Sequence, residues 1–165
     1  VTVADPILVL TTGGTIDKLY FDALSQYQIG ESVVARLLEL GRVTHPFRLA
    51  ELMRKDSLDL DDADRAVIAA RVADAEETRV VITHGTDTMT VTARALGAIS
   101  GKTIVLVGAL APARFSDSDA PFNLGMAFAT AQVAPPGVYI TMNGSVFPAL
   151  GVVKDRVKGA FVPNG

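Results

Sequence analysis

The sequence predicts an α/β fold: a three-layer sandwich around a mostly parallel sheet. Three observations carry that prediction. Short β-rich apolar runs alternate with helical patterns along the chain. Several of these runs are apolar at every position, not every second one, as in strands covered on both faces. At 165 residues, 49% of them hydrophobic and 20% charged, the chain has the balance of a folded protein with a sizeable core. Residues 1–165 are read as one domain.

The strand-like runs are "ILVLT" (7–11), "FRLAEL" (47–52), "RVVIT" (79–83), "TIVLV" (103–107) and "GVYITM" (137–142). The first helix is expected in "ESVVARLLELG". There Val33 and Leu37, and Val34 and Leu38, recur four residues apart, and Gly41 stands where a helix would stop. The second is expected in "DDADRAVIAARVADAEE", whose first turn carries Asp61, Asp62 and Asp64 where the helix dipole favours anions. Two more are expected over 88–100 and 121–134. No internal repeat, low-complexity tract or linker interrupts the pattern.

Composition removes several function classes. A net charge of −3 gives no basic face for nucleic acid. Without cysteine there is no disulfide framework, thiolate metal site or thiol nucleophile. His45 and His84 are the only histidines, so no histidine cluster for zinc exists, and no metal or cofactor is expected. Apolar runs such as "TIVLVGALAPA" are too short to span a bilayer. The amino end lacks a basic leader region, so a cytoplasmic location is expected. The absent initiator Met implies processing or trimming.

Ligands of open parallel sheets bind beyond the carboxyl ends of the strands. Two polar loops leave strand ends here, "TTGGTID" (11–17) and "THGTDTM" (83–89). If their strands run parallel, both loops lie on one edge. Neither glycine pattern fits a phosphate loop. After Gly13 and Gly14 no glycine follows until Gly30, and "GAISGKT" (97–103) leads into a strand instead of leaving one. Hydroxyl chemistry remains. Adjacent glycines permit positive φ and close approach of a ligand, leaving the Thr15 hydroxyl reachable and nearby N–H groups free for a developing oxyanion. A threonine needs its proton removed before it attacks. The plainer alternatives are a turn cap at Thr15 and helix capping by Thr86, Asp87 or Thr88.

The two loops in this order resemble the signatures of the bacterial-type L-asparaginase family, and "GALAPARFSDSDAPFNL" (108–124) is similar to the stretch that follows them in that family. The resemblance covers most of the chain and implies the fold of the asparaginase N-terminal domain. It implies Thr15 as primary nucleophile, with Thr86, Asp87 and a lysine forming the second half of the site. Lys154, in "TMNGSVFPALGVVK", stands at the corresponding spacing; the alternative is a solvated surface lysine. The family's mobile-loop tyrosine corresponds to Tyr27 in "YQIG", with Tyr20 as competitor. Its carboxylate-binding serine corresponds to Ser57 in "DSLDL". Here Asp56 replaces a glycine and Leu58 a glutamine, a departure that weakens α-carboxylate recognition, and a turn role for Ser57 stays open. Gly14 and Gly85 complete the substrate contacts.

The resemblance implies an L-asparaginase that releases aspartate and ammonia, with asparagine as substrate and glutamine as the other candidate. Lys154 could act as a base there only if burial lowered its pKa. Family members are commonly about twice this length, and a neighbouring subunit's second domain completes their pocket. A short, single-domain, homo-oligomeric member is therefore expected. The alternatives are an asparagine- or aspartate-binding sensor without turnover, and an ammonia-releasing amidotransferase subunit.

Overall fold

A computed structural model describes residues 4–165, so the processing expectation at the extreme amino end lies outside the described residues. Six strands form the central sheet: β1 (Ile7–Gly13), β4 (Phe47–Lys55), β5 (Arg79–Thr83), β6 (Thr103–Val107), β7 (Gly137–Met142) and β8 (Ser145–Pro148), ordered β4-β1-β5-β6-β7-β8. The first five are mutually parallel and β8 returns antiparallel to β7. Four helices flank them: α1 (Val34–Leu40), α2 (Asp62–Ala73), α3 (Met89–Ala95) and α4 (Ala120–Val133).

Burial on both faces explains the unbroken apolar runs. Leu8, Leu10, Ile82, Leu106 and Ile140 point to one face, against Ile68 and Val72 of α2 and Met89 and Ala93 of α3. Ile7, Val9, Val81 and Val105 point to the other, against Val34 and Leu38 of α1 and Leu124 and Phe128 of α4. The three-layer α/β expectation is met. The acidic start of α2 does more than complement the dipole. Asp61 accepts from the Asp64 N–H at 2.8 Å and Asp64 accepts from the Asp61 N–H at 3.1 Å, a reciprocal cap.

Some boundaries differ from expectation. β4 runs three residues beyond 52, to Lys55, and α3 stops at Ala95 instead of reaching 100, just before Gly97. Two hairpins were not anticipated. β2 (Lys18–Phe21) pairs with β3 (Gln26–Ile29) outside the main sheet, and β9 (Val152–Asp155) pairs with β10 (Ala160–Pro163). The β7–β8 turn also carried a legible signal. Asn143 and Gly144 both take positive φ (53° and 70°), the conformation that tight hairpins need and an Asn-Gly pair supplies.

The chain runs from β1 outward to β4, then crosses to β5 on the other side of β1. The β1–β5 boundary is thus a switch point, where an open parallel sheet leaves a crevice. Both polar loops leave the carboxyl ends of these two neighbouring strands.

Candidate active site

The paired glycines are required by close approach. A Cβ on Gly14 would lie 2.4 Å from the Gly85 nitrogen, and one on Gly13 would lie 2.5 Å from the Lys55 carbonyl oxygen. Both glycines hold positive φ (104° at Gly13, 86° at Gly14), which a side chain would strain further. A Cβ on Gly85 would in turn meet Ser57, 2.6 Å from its Oγ. The loops after β1, β5 and β4 therefore pack directly on one another in the order Gly14, Gly85, Ser57, the first contact through backbone and the second against the serine side chain. Thr15 directly follows the first glycine and Thr86 the one it touches.

Thr15 opens a short 3-10 turn (Thr15–Asp17) and is half-buried. Its hydroxyl has no protein hydrogen-bond partner among the described residues, so it is not engaged in capping that turn. Thr86, Asp87 and Thr88 do not cap α3 with their side chains either. Thr88 donates instead to the Ser57 carbonyl at 2.7 Å, tying α3 to the β4 loop. Lys154 engages the other two. Its Nζ donates to Thr86 Oγ1 and to Asp87 Oδ1, both at 2.8 Å, bridging 68 and 67 residues of sequence. The Lys154 side chain is only 17% exposed, so a solvated surface lysine is not what the fold makes of it.

β9 delivers this lysine. Val152 and Phe161 of the β9–β10 hairpin are buried in the core, and the Phe161 N–H donates to Asn143 Oδ1 at 2.8 Å. The hairpin is thereby held to the β7 turn. Beneath the junction lies His84, fully buried. Its Nδ1 is 2.7 Å from the Gly85 carbonyl and its Nε2 is 2.8 Å from Thr92 Oγ1. The carbonyl can only accept, so Nδ1 carries the proton and Nε2 accepts from the Thr92 hydroxyl. Burial pushes the imidazole down to about 4, so it is neutral at pH 7.

Tyr27 sits on a strand, not on an irregular loop. In the β2–β3 register it stands directly opposite Tyr20, and the two rings meet edge to face at 5.5 Å. The competitors are thus cross-strand neighbours on one face of the hairpin. Tyr27 also packs edge to face on Phe115 at 6.2 Å and is 53% exposed. Its phenol has no hydrogen-bond partner among the described residues. It borders a cleft of about 780 Å³ also lined by Asp56 and Leu58, whereas Thr15, Thr86, Asp87 and Lys154 are not among its lining residues. Ser57, between Asp56 and Leu58 in sequence, has its Oγ buried and unpartnered.

The family model described as Asparaginase, N-terminal, matches residues 6–160. The chain belongs to the asparaginase family. It is 34% identical to L-asparaginase 2 of Escherichia coli over 160 residues and to a probable periplasmic L-asparaginase of Haemophilus influenzae over 161. Each match covers 90% of this chain and 46% of the relative. A glutaminase-asparaginase of Pseudomonas fluorescens is 30% identical over 155 residues, covering 85% of this chain and 42% of the relative. Among solved structures, the thermostable L-asparaginase of Thermococcus kodakarensis superposes with a TM-score of 0.84 at 28% identity, over 96% of this chain and 51% of that one. A probable cytoplasmic L-asparaginase of Campylobacter jejuni gives 0.82 at 30% identity, over 96% and 53%. The chain spans about half the length of the asparaginases it matches. Family members are named from both periplasm and cytoplasm, so the family does not by itself assign a compartment. Among the described residues, no helix is long and apolar enough to cross a membrane.

Within this asparaginase-family chain, the structure adds residues that sequence reasoning passed over. The third stretch of resemblance braces the first loop. Arg114 donates to the carbonyls of Asp17 and Glu31, both at 2.9 Å, and Asp119 accepts from the N–H groups of Leu110 and Ala111 at 3.0 Å. Asp17 is a buried carboxyl whose pKa is raised by desolvation, although it accepts the Val33 N–H at 2.9 Å. Arg156, two residues beyond Lys154, brings Nη2 to 3.6 Å from Asp87 Oδ1. The signal for Arg114 and Asp119 was the motif itself. Asp17 and Arg156 carried none, because their roles depend on which chain segments meet.

Proposed function

We propose that the chain hydrolyses the side-chain amide of asparagine to aspartate and ammonia, with Thr15 as nucleophile. The observation that supports this most is the bridge from Lys154 to Thr86 and Asp87, built beside a glycine contact that sets Thr15 and Thr86 on adjoining loops. A simple ligand pocket has no need of two hydroxyls and a lysine held in this way.

In this reading Thr15 Oγ adds to the amide carbon, its proton leaves toward the departing nitrogen, and the C–N bond breaks to release ammonia. Water then cleaves the aspartyl ester and restores the hydroxyl. The Gly14 N–H is spent on the Lys55 carbonyl at 2.9 Å, contrary to the expectation that the paired glycines leave it free, so the oxyanion is steadied by other N–H groups of the two loops, each good donor contributing about 3 kcal/mol. Lys154 Nζ gives one N–H to Thr86 and one to Asp87. With its lone pair so occupied, the Thr86 hydroxyl is free to donate its own proton toward the reacting centre. Lys154 is therefore an orienting donor that holds Thr86 and Asp87 together. Asp87 keeps a second oxygen for a substrate ammonium, and Tyr27 covers the cleft from the hairpin side.

The test is ammonia release by the purified chain given L-asparagine, L-glutamine or D-asparagine. Release from L-asparagine that disappears in Thr15→Ala supports the reading. No release, with saturable stabilisation by asparagine, would replace it with a sensor. Release only beside a second protein would replace it with an amidotransferase subunit.

A further inference from the structure

Lys154 reaches its partners from outside the main sheet. Its Nζ meets Thr86 Oγ1 and Asp87 Oδ1 at 2.8 Å each, from a two-stranded ribbon that has little stability of its own. A displacement of about 1 Å would break both bonds. Burial of Val152 and Phe161 holds the β9–β10 ribbon against the core. Apolar burial is non-directional, however, and does not by itself fix how far the ribbon slides.

The ribbon's own hydrogen bonds do not fix it either. At its base the Asn164 N–H meets the Gly151 carbonyl at 2.9 Å, and at its tip Asp155 Oδ1 accepts from the N–H groups of Val157 and Lys158 at 3.0 Å. Both sets close the ribbon on itself. Among the described residues, one hydrogen bond joins its backbone to another part of the fold: the Phe161 N–H to Asn143 Oδ1 at 2.8 Å. In the antiparallel register Phe161 stands directly opposite Lys154. The anchor thus acts level with the lysine.

The turn that carries Asn143 does not need its side chain. Asn143 and Gly144 link the paired residues Met142 and Ser145, with φ of 53° and 70°. Glycine would serve that backbone at position 143 as well. What glycine lacks is the amide oxygen. We propose that Asn143 is a positioning residue, which holds β10 to the β7–β8 turn and thereby sets the reach of Lys154 to Thr86 and Asp87. Its effect on turnover rests on the hydrolase reading above; its effect on the lysine does not.

Competitive acetylation of the folded protein with acetic anhydride, mapped by peptide mass spectrometry, tests it. Lys158, with a side chain 70% exposed, is the free reference. Lys102, whose Nζ donates to the Ala75 and Glu77 carbonyls before the amino end of β6, is the internal control. In wild type Lys154 should label more slowly than Lys158. Asn143→Gly keeps the turn and removes the acceptor, and should speed labelling of Lys154 by about fivefold, the weight of one hydrogen bond, with Lys102 unchanged. Asn143→Asp keeps both turn and acceptor and should restore the protection. Unchanged Lys154 labelling in Asn143→Gly, an equal rise at Lys102, a wild-type Lys154 as reactive as Lys158, or an Asn143→Asp that behaves like Asn143→Gly overturns the proposal. Ammonia release from L-asparagine is a separate readout, and should fall about tenfold or more in Asn143→Gly. No release from wild type, with Lys154 labelling that follows Asn143, removes the hydrolase reading and leaves the positioning role. Release and labelling both unchanged in Asn143→Gly do the reverse.

Discussion

The glycine junction and the β2–β3 hairpin that follows its first loop in the chain are built in opposite ways. At the junction, Gly14 and Gly85 touch through backbone atoms, Gly85 lies against Ser57, and a side chain on either glycine has nowhere to go. Its polar groups are buried and its supporting strands lie in the middle of a two-faced core. The hairpin stands outside the main sheet, with Tyr20, Phe21, Leu24 and Tyr27 all exposed. It is fastened at its base by the Gly30 N–H to the Asp17 carbonyl at 3.0 Å and by Arg114. A two-stranded ribbon has little stability of its own. The difference teaches a contrast in anchorage: the junction is locked by direct contact between loops, and the hairpin is held at its base.

The sharpest way to break this comparison is at the junction hydroxyl. Thr15→Ala should lower kcat for asparagine by about 10⁴-fold or more while circular dichroism and Tm stay as in wild type. A variant that unfolds would show that Thr15 holds the junction together instead of reacting from it. Next comes the junction backbone. Gly14→Ala must move the Gly85 chain and take a strained φ, and should cost about 3 kcal/mol or more in urea unfolding. A near-neutral result would mean the loops are not fixed.

Acid tests the same region with a slightly smaller effect. Folded His84 titrates near 4 against 6.5 for a free histidine. Between those values the unfolded chain binds the extra proton, so stability present at neutral pH is lost as pH falls through 6.5 toward 4. The loss approaches about 3 kcal/mol. Unfolding curves at pH 7 and pH 4 should show this loss in wild type and a smaller one in His84→Gln. The hairpin gives the smallest effect. Neither tyrosine hydroxyl has a partner among the described residues, so Tyr20→Phe and Tyr27→Phe should each change stability by less than about 0.5 kcal/mol. Only Tyr27→Phe should slow turnover, by about tenfold or more. Equal slowing in both would make the hairpin face, and not one phenol, the active element.

The same contrast decided what could be read from sequence. The sheet strands were legible because two-sided burial leaves unbroken apolar runs, and the junction because Gly13–Gly14 and Gly85 sit at strand ends beside hydroxyls. The hairpin was not legible. "KLYF" and "QYQI" have no buried face to impose an alternation, and the Asp22–Leu24 turn closes with Ser25 in a left-handed conformation no glycine announced. The Asn143-Gly144 turn did carry its signal and was passed over. Lys154 was placed by resemblance alone, since a contact across 68 residues leaves no local trace. Arg156 lay beyond even that, because its approach to Asp87 depends on where the β9–β10 turn falls in the fold.

The account turns on which hydroxyl bonds to the substrate carbon. Acid quench of the purified chain during turnover of asparagine, followed by peptide mass spectrometry, reads this directly. An aspartyl ester on the peptide containing Thr15, absent in Thr15→Ala, is the predicted result. An ester on the peptide containing Thr86, or turnover that continues in Thr15→Ala, would contradict it.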